Sequence, residues 1–281
     1  MSVSLYQIHS ATPIQMMSYV VKTENGRLIV IDGGNKGDGE SLLSFLYELC
    51  DGEKPVIDMW FLTHNHTDHV DAFSSIMLNS SDRITVKNVC CKMIDRDFFL
   101  SLPDDGAYGG YDLDRAFEIL GKDKVITPCV NDVFTFDNVC FEILYVTEDK
   151  FAHNYMNNSS MVMMMYAEGQ KTLFLGDLGV EGGERVLEMH PNEKLKCDFV
   201  QMAHHGQNGV AQSFYKAVSP KGCLWPTPKW LWDNDAGLGY NTHTFATVIT
   251  RSWMDELGVK THFKEYEGTQ QIVLPYDFSV K

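Results

Sequence analysis

No apolar run in this sequence approaches the ~18 residues that a bilayer-spanning helix needs. The segment Met1-Ser2-Val3-Ser4-Leu5-Tyr6-Gln7 also lacks the basic and apolar regions of a signal peptide. No membrane partner is expected, and the chain is expected to stay in the cytoplasm. Basic residues are scarce: 23 Lys plus Arg stand against 38 Asp plus Glu, a formal charge of −15. Long duplex DNA is disfavoured as a partner, because binding to a phosphate backbone draws its free energy from basic groups that displace counterions. There is no C-x-x-C pair among the seven cysteines (Cys50, Cys90, Cys91, Cys129, Cys140, Cys197, Cys223). Their odd number and their place in apolar strand-like runs argue against a disulfide framework and for a reducing compartment. No convincing internal repeat of 20 to 50 residues is present.

What remains is an ordinary folded composition, 44% apolar and 22% charged over 281 residues. That length is compatible with one large domain, and residues 1–281 are read as a single unit. The first third reads as strand, strand, strand, helix, strand. Ser18 to Thr23, the turn-prone Glu24-Asn25-Gly26, and Arg27 to Ile31 make a hairpin ending at Asp32-Gly33-Gly34. Ser41 to Cys50 has helical spacing, and Val56 to Leu62 returns as a mostly buried strand. From about 92 to 125 the periodicity weakens, which suggests an insertion or lid with a helix through Asp114 to Leu120. Strands are predicted at Val133–Phe136, Cys140–Val146, Met161–Tyr166, Thr172–Leu175, Phe199–Ala203, Thr261–Tyr266 and Gln271–Leu274. Helices are predicted at Gly182–His190 and near Thr244–Leu257.

The strongest chemical signal is His64-x-His66-x-Asp68-His69, which directly follows a buried strand. Neutral imidazoles and a carboxylate suit zinc, iron or manganese, and a strand end holds them still. Four ligands this close cannot all bind one ion without strain, so His64 with His66 and Asp68 with His69 are assigned to two ions. A two-metal site also needs a bridging carboxylate and further histidine. Asp177, after the apolar run Thr172 to Gly176, is the expected bridge, and His204 or His205, after Phe199 to Ala203, the added ligand.

Asp32-Gly33-Gly34, His64 to His69, Gly176-Asp177 and His204-His205-Gly206 occur in the order and at the strand ends that mark the metallo-β-lactamase superfamily. The whole chain resembles it. The resemblance implies a mixed α/β fold, an αββα sandwich of two face-to-face sheets with helices outside and a metal cleft along one edge. Asn157-Asn158-Ser159-Ser160-Met161-Val162, Met202 to Gly206 and a late His243 are similar to the hydrolase domain of the ComEC competence protein and its free-standing relatives.

Further expectations follow from that likeness. Asp32 is implied to orient a ligand histidine by hydrogen bonding, and His243 to contact the substrate. Where most of the superfamily supplies a third histidine to the first metal, this chain has Asn157 and Asn158, with His153 upstream. Asn158 is taken as that ligand, with Asn157 and His153 as alternatives, and a turn as the plain reading of the asparagines. The expected activity is that of a hydrolase with two divalent ions, zinc foremost. A metal-bridging hydroxide would attack a phosphodiester or other small anionic substrate, and Asp68 or a metal-bound water would return the proton. The alternatives are a lactone or thioester hydrolase, a sensing module that keeps the fold without turnover, and a di-iron redox enzyme. Trp225, Trp230 and Trp232 in the loop to Tyr240 could form an aromatic wall, a dimer contact or ordinary packing. Met163 to Met165 are read as core, and His9, His190 and His262 as structural.

Overall fold

Alternation along neighbouring strands dictates a layered arrangement. In β2 (Ser18–Lys22), β3 (Leu28–Asp32) and β4 (Val56–Leu62), Tyr19, Val21, Ile29, Ile31 and Phe61 face one buried cluster, while Val20, Val30 and Trp60 face another. Every second side chain points to the opposite face, so both faces of this sheet must be covered. A computed structural model shows how, describing residues 2–95, 97–98, 101, 109–147, 151 and 153–279.

Among these residues the first sheet is completed by β1 (Val3–Gln7), two short strands, β5 (Thr85–Val86) and β6 (Val89–Cys91), and β7 (Val125–Ile126). Strands β8 (Val133–Phe136), β9 (Val139–Tyr145), β10 (Val162–Ala167), β11 (Gln170–Phe174), β12 (Phe199–Gln201), β13 (Gly222–Trp225) and β14 (Thr261–Lys264) make the second sheet. The last strand, β15 (Gln270–Leu274), returns to pair antiparallel with β1. The sheet orders are β15-β1-β2-β3-β4-β6-β7, with β5 on β4, and β14-β13-β12-β11-β10-β9-β8. Each sheet starts with antiparallel neighbours and turns parallel at β3/β4 or β11/β12.

The central core lies between the two sheets, with Phe61, Phe141, Met163, Met165 and Phe174 fully buried in it. Helices α1 (Gly39–Leu49), α2 (Thr67–Ser80) and α3 (Leu113–Leu120) cover the outer face of the first sheet through Leu42, Leu43, Leu46, Val70, Phe73, Ala116 and Leu120. Helix α4 (Tyr155–Asn158) packs Met156 against Ile94, and on the outside of the second sheet lie α5 (Val180–Met189), α6 (Asn192–Leu195), α7 (Gln212–Val218), α8 (Lys229–Trp232) and α9 (Thr247–Glu256). Of these, α5, α6, α7 and α9 insert Val186, Leu195, Phe214 and Met254 into the outer core. The layers therefore run helix, sheet, sheet, helix. Met164 faces this outer core while its neighbours face inward, so the methionine run is packing.

The structure adds α2, β5, β6, β7, α4, α6, α7, β13 and α8 to the expected elements. Trp225 is the fully buried last residue of β13, and Lys229–Trp232 form a helical turn. Residues 96, 99–100 and 102–108 of the expected lid lie outside the described residues. All seven cysteines are free thiols. No described helix is long and apolar enough to cross a membrane.

Candidate metal centre

The site is assembled from the carboxyl ends of four strands. The tip of β3 presents Asp32, that of β4 presents Thr63 and His64, β11 leads into Gly176-Asp177, and β12 leads through Met202-Ala203 to His204-His205. Strands β3/β4 and β11/β12 are parallel, so their loops emerge on the same side. Helix α2 starts at Thr67 with His66 as its N-cap, which places Asp68 and His69 in its first turn. That turn is stitched to the sheet by Met17 N–H donating to Asp68 O (3.1 Å), Gly33 N–H to His69 O (2.8 Å) and Ala72 N–H to Gly34 O (2.9 Å).

Two groups of ligand atoms converge. Asp68, His69, Asp177 and His205 form one; His64, His66 and Asp177 form the other. Asp177 is common to both. Its Oδ1 is 3.2 Å from His69 Nε2, and its Oδ2 lies 3.4 Å from His205 Nε2 and 3.9 Å from His64 Nε2. His64 Nε2 and His66 Nδ1 are 3.0 Å apart, near the ~3.3 Å separating two imidazole nitrogens on one tetrahedral zinc.

Second partners fix which nitrogens face inward. Asp32 Oδ2 lies 2.6 Å from His69 Nδ1, while Thr63 gives its N–H to Asp32 Oδ1 (2.8 Å) and its hydroxyl to Oδ2 (2.7 Å). His205 Nδ1 donates to the carbonyl of Pro226 at 2.8 Å. With both Nδ1 protons spent outward, each Nε2 turns a lone pair toward carboxylate oxygens. His69 Nε2, His205 Nε2 and both Asp177 oxygens are buried without a hydrogen-bond partner. Lone pairs facing carboxylates at this distance repel unless a cation lies between them, so the residues present fit a metal. Electrostatics point the same way. Burial alone would lower the His69 imidazole, but Asp177 and Asp32 outweigh it and raise it well above its ordinary value. Burial would likewise raise the Asp177 carboxyl, yet His69 and His205 hold it well below the usual carboxylate range.

Two glycines are required here. Gly176 has φ +56°, and a Cβ on it would meet Ser160 Cβ at 2.9 Å and Thr63 Oγ1 at 3.1 Å. Gly206 has φ +78°, and a Cβ would come 2.5 Å from the Trp225 ring. His204 and His205 themselves sit in the left-handed region at φ 52° and 54°. Backbone strain of ~1–3 kcal/mol per residue is tolerated where a site demands it.

The structure separates the expected site residues. His64, His66, Asp68, His69, Asp177 and His205 come together, with Asp32 behind His69. His204 lies beside the cluster, Nε2 3.8 Å from Asp177 Oδ2 and Nδ1 turned toward Asn208 O. Asn158 is a correction: its Oδ1 accepts the N–H groups of Gly179 (3.0 Å) and Gly182 (2.9 Å), and its Nδ2 donates to His153 O (3.1 Å). Both ends of that amide are spent on backbone. His153 is a second correction, since its side chain is 84% exposed and pairs with Glu181. Asn157 is buried with an unpartnered Oδ1. No hydrogen bond or ion pair among the described residues joins the His243 ring to the cluster; it stacks on Phe245 at 4.2 Å and 13°.

Sequence reasoning missed Thr63 and Gln201. Gln201 is fully buried; its Oε1 accepts Leu175 N–H (2.7 Å), and its Nε2 donates to Gly176 O (3.0 Å) and Met202 O (2.7 Å). It locks the ends of β11 and β12, and with them Asp177 and His205. A polar residue inside the apolar run Phe199 to Ala203 was the available signal.

Comparison with known proteins bears on the fold and the family likeness. A metallo-beta-lactamase superfamily model matches residues 11–73, which include Asp32 and His64 to His69. The ComE operon protein 3 of Bacillus subtilis (strain 168) is 36% identical over 168 residues, 59% of this chain. The chain spans only 19% of that relative's length. The metallo-beta-lactamase fold protein YhfI from Bacillus subtilis superposes with a TM-score of 0.58 at 10% identity, over 97% of this chain and 100% of its own. CmlA, a diiron beta-hydroxylase from Streptomyces venezuelae, gives 0.58 at 14% identity, over 97% of this chain and 54% of its own. The chain resembles the metallo-β-lactamase superfamily and has the metallo-β-lactamase fold.

Proposed function

We propose that this metallo-β-lactamase-fold chain is a two-metal hydrolase of a small anionic substrate, most simply a phosphodiester. One observation carries the reading: two groups of buried ligand atoms share Asp177, and four of their nitrogens and oxygens have no other partner. His64 and His66 would hold one ion, with Asp177 and the unpartnered Asn157 Oδ1 as further oxygen donors. Asp68, His69 and His205 would hold the other, with Asp177 between. When bound, such ions supply an acidified water and a concentrated positive charge at the reacting ester. The donors are nitrogen and oxygen alone, which suits zinc, manganese or iron.

The remaining work falls to the chain itself. Asp32 and the Pro226 carbonyl keep the Nε2 atoms of His69 and His205 aimed inward. His64, His69, Asp177 and His205 are 0–1% exposed, whereas His66 and Asp68 are each 9% exposed. The substrate therefore approaches over His66 and Asp68. Asp68 Oδ2 accepts from Gln15 Nε2 at 3.1 Å and lies 3.2 Å from His205 Nε2, on the side of the converging ligands, which leaves Oδ1 to take up a proton and return it to the departing group. An overall charge of −15 does not oppose an anionic ester here, because two divalent ions would outweigh the local carboxylates.

The test is turnover of bis(p-nitrophenyl) phosphate by protein purified without chelator, with metal content measured on the same sample. One to two transition ions per chain are expected, and a loss of at least ~100-fold in rate for Asp177→Asn. Hydrolysis confined to lactones or thioesters would move the enzyme to carboxylic esters. Tight ligand binding without product on long incubation would favour a sensing role.

A further inference from the structure

The ligand group Asp68, His69, Asp177 and His205 draws on both sheets. Asp68 and His69 come from the first turn of α2, which packs on the first sheet, whereas Asp177 and His205 follow β11 and β12 of the second. An ion there depends on how far Asp68 stands from His205, and the two are 3.2 Å apart, Oδ2 to Nε2. The other group is built differently, since its two histidines, His64 and His66, share one strand-to-helix turn and face each other at 3.0 Å.

Gln15 reaches both Asp68 and the loop that carries His205. Its backbone is anchored on the first-sheet side: Asn35 Nδ2 donates to its carbonyl at 2.9 Å, and the buried Met17 gives its N–H to Asp68 O at 3.1 Å. The Gln15 amide nitrogen donates to Asp68 Oδ2 at 3.1 Å. Its amide oxygen accepts from Gln207 Nε2 at 3.3 Å, across a sequence separation of 192 residues. Gln207 stands two residues after His205 and is buried; its N–H donates to His204 O and its carbonyl accepts the Gly209 N–H, both at 2.9 Å. Asp68 is therefore tied through two amides to the segment that holds its partner ligand.

The order of the amides is dictated from the Asp68 end. An ionised carboxylate can only accept, so Gln15 must turn its nitrogen toward it. The Gln15 oxygen then faces Gln207, and an oxygen there requires the Gln207 nitrogen. What remains is Gln207 Oε1, buried without a hydrogen-bond partner among the described residues. An orphaned acceptor destabilises the fold, yet turning both amides over would set the Gln15 carbonyl against the Asp68 carboxylate, one acceptor against a charged one. Two residues that only filled space would carry no such direction.

We propose that Gln15 and Gln207 are positioning residues, a two-amide strap that holds Asp68 against His205 and so sets the affinity of the ion shared by Asp68, His69, Asp177 and His205. The strap touches neither His64 nor His66, so the other ion is outside its reach. This rests on the two-ion reading only in taking the four residues as the ligands of one ion.

The test titrates cobalt(II) into the full chain freed of metal, read by d–d absorption and by competition with a chelator. Two binding steps are expected in the parent, and His66→Ala identifies the one that belongs to His64 and His66. Gln15→Met, close in length but without the amide, should weaken the Asp68 step ~10-fold or more and alter its d–d bands, with the other step unmoved. Gln207→Met should weaken the same step. The double variant should bind no more weakly than Gln15→Met alone, because residues acting through one contact are not additive. Circular dichroism checks that each variant folds; if Gln207→Met does not, the bands and affinity of Gln15→Met carry the test. Unchanged affinity in Gln15→Met, equal weakening of both steps, or additive losses in the double variant would each overturn the strap. Two ions bound alike by parent and variants remove the strap and leave the two-ion reading. A single ion that Gln15→Met weakens keeps the strap and removes that reading, and a parent that binds no cobalt removes both.

Discussion

Asp32 Oδ2 and His69 Nδ1 lie 2.6 Å apart across a sequence separation of 37 residues, both fully buried. The contact joins the tip of β3 to the first turn of α2 and decides which face of the imidazole is offered to a metal. Asp32 is left-handed at φ 54°, a conformation that asparagine also tolerates. Asp32→Asn should therefore fold, with a circular dichroism spectrum like the parent. Replacing one carboxylate oxygen by an amide N–H opposes the His69 Nδ1 proton, and metal affinity should fall ~10–100-fold in a chelator competition. Unchanged affinity would show that Asp32 does not orient the ligand.

The asparagine pair separates structure from metal binding. Asn158→Ala leaves the Gly179 and Gly182 N–H groups without their acceptor at the start of α5. A loss of about 2–4 kcal/mol in urea unfolding is expected. Asn157→Ala should cost about 1 kcal/mol or less while weakening the ion held by His64 and His66, read as a drop in bound metal per chain. Equal effects of the two substitutions on stability would contradict this division.

Gly176→Ala forces a Cβ against Ser160 at a left-handed backbone position. The strain and overpacking together should lower stability by about 2–4 kcal/mol. Asp177, the next residue, should shift with it, so metal binding should weaken even at temperatures where the variant is folded. Thermal melts with and without added zinc would read both effects.

The chelated protein should lose stability as pH rises. Burial alone would lower the His205 imidazole, but Asp177 and Asp68 outweigh it and carry it up to about 10. A base raised in the folded state stabilises fully below its unfolded value of ~6.5, and that contribution disappears as pH climbs toward the folded value. Urea midpoints of chelated protein should be higher near about pH 6 than near about pH 10. Adding metal should flatten the difference, because the ion takes the place of the proton. Midpoints independent of pH in the chelated chain would mean that His205 is neutral there.

Much of this protein follows from local pattern. Val56 to Leu62 is recovered residue for residue as β4, because a strand buried on both faces reads as a near-continuous apolar run, interrupted here by Asp58 alone. Helix α2 escaped attention although Val70, Phe73 and Met77 recur at helical spacing, because its first turn is occupied by ligands rather than apolar residues. Strand β13 was obscured by the prolines after Trp225, which read as loop.

By itself the sequence named the candidate ligands and divided them between two expected ions. Ligand strings placed directly after apolar strands are chemistry that needs no coordinates to read, and so was the packing role of Met163 to Met165. Only tertiary structure could decide between neighbours of the same type. His205 over His204 in the converging group depends on how a left-handed backbone turns each ring, and Asn157 over Asn158 as the amide with an unspent oxygen depends on which backbone groups lie beside each. Hydrogen-bond geometry is set by residues distant in sequence and close in space, and a one-dimensional pattern carries no record of it.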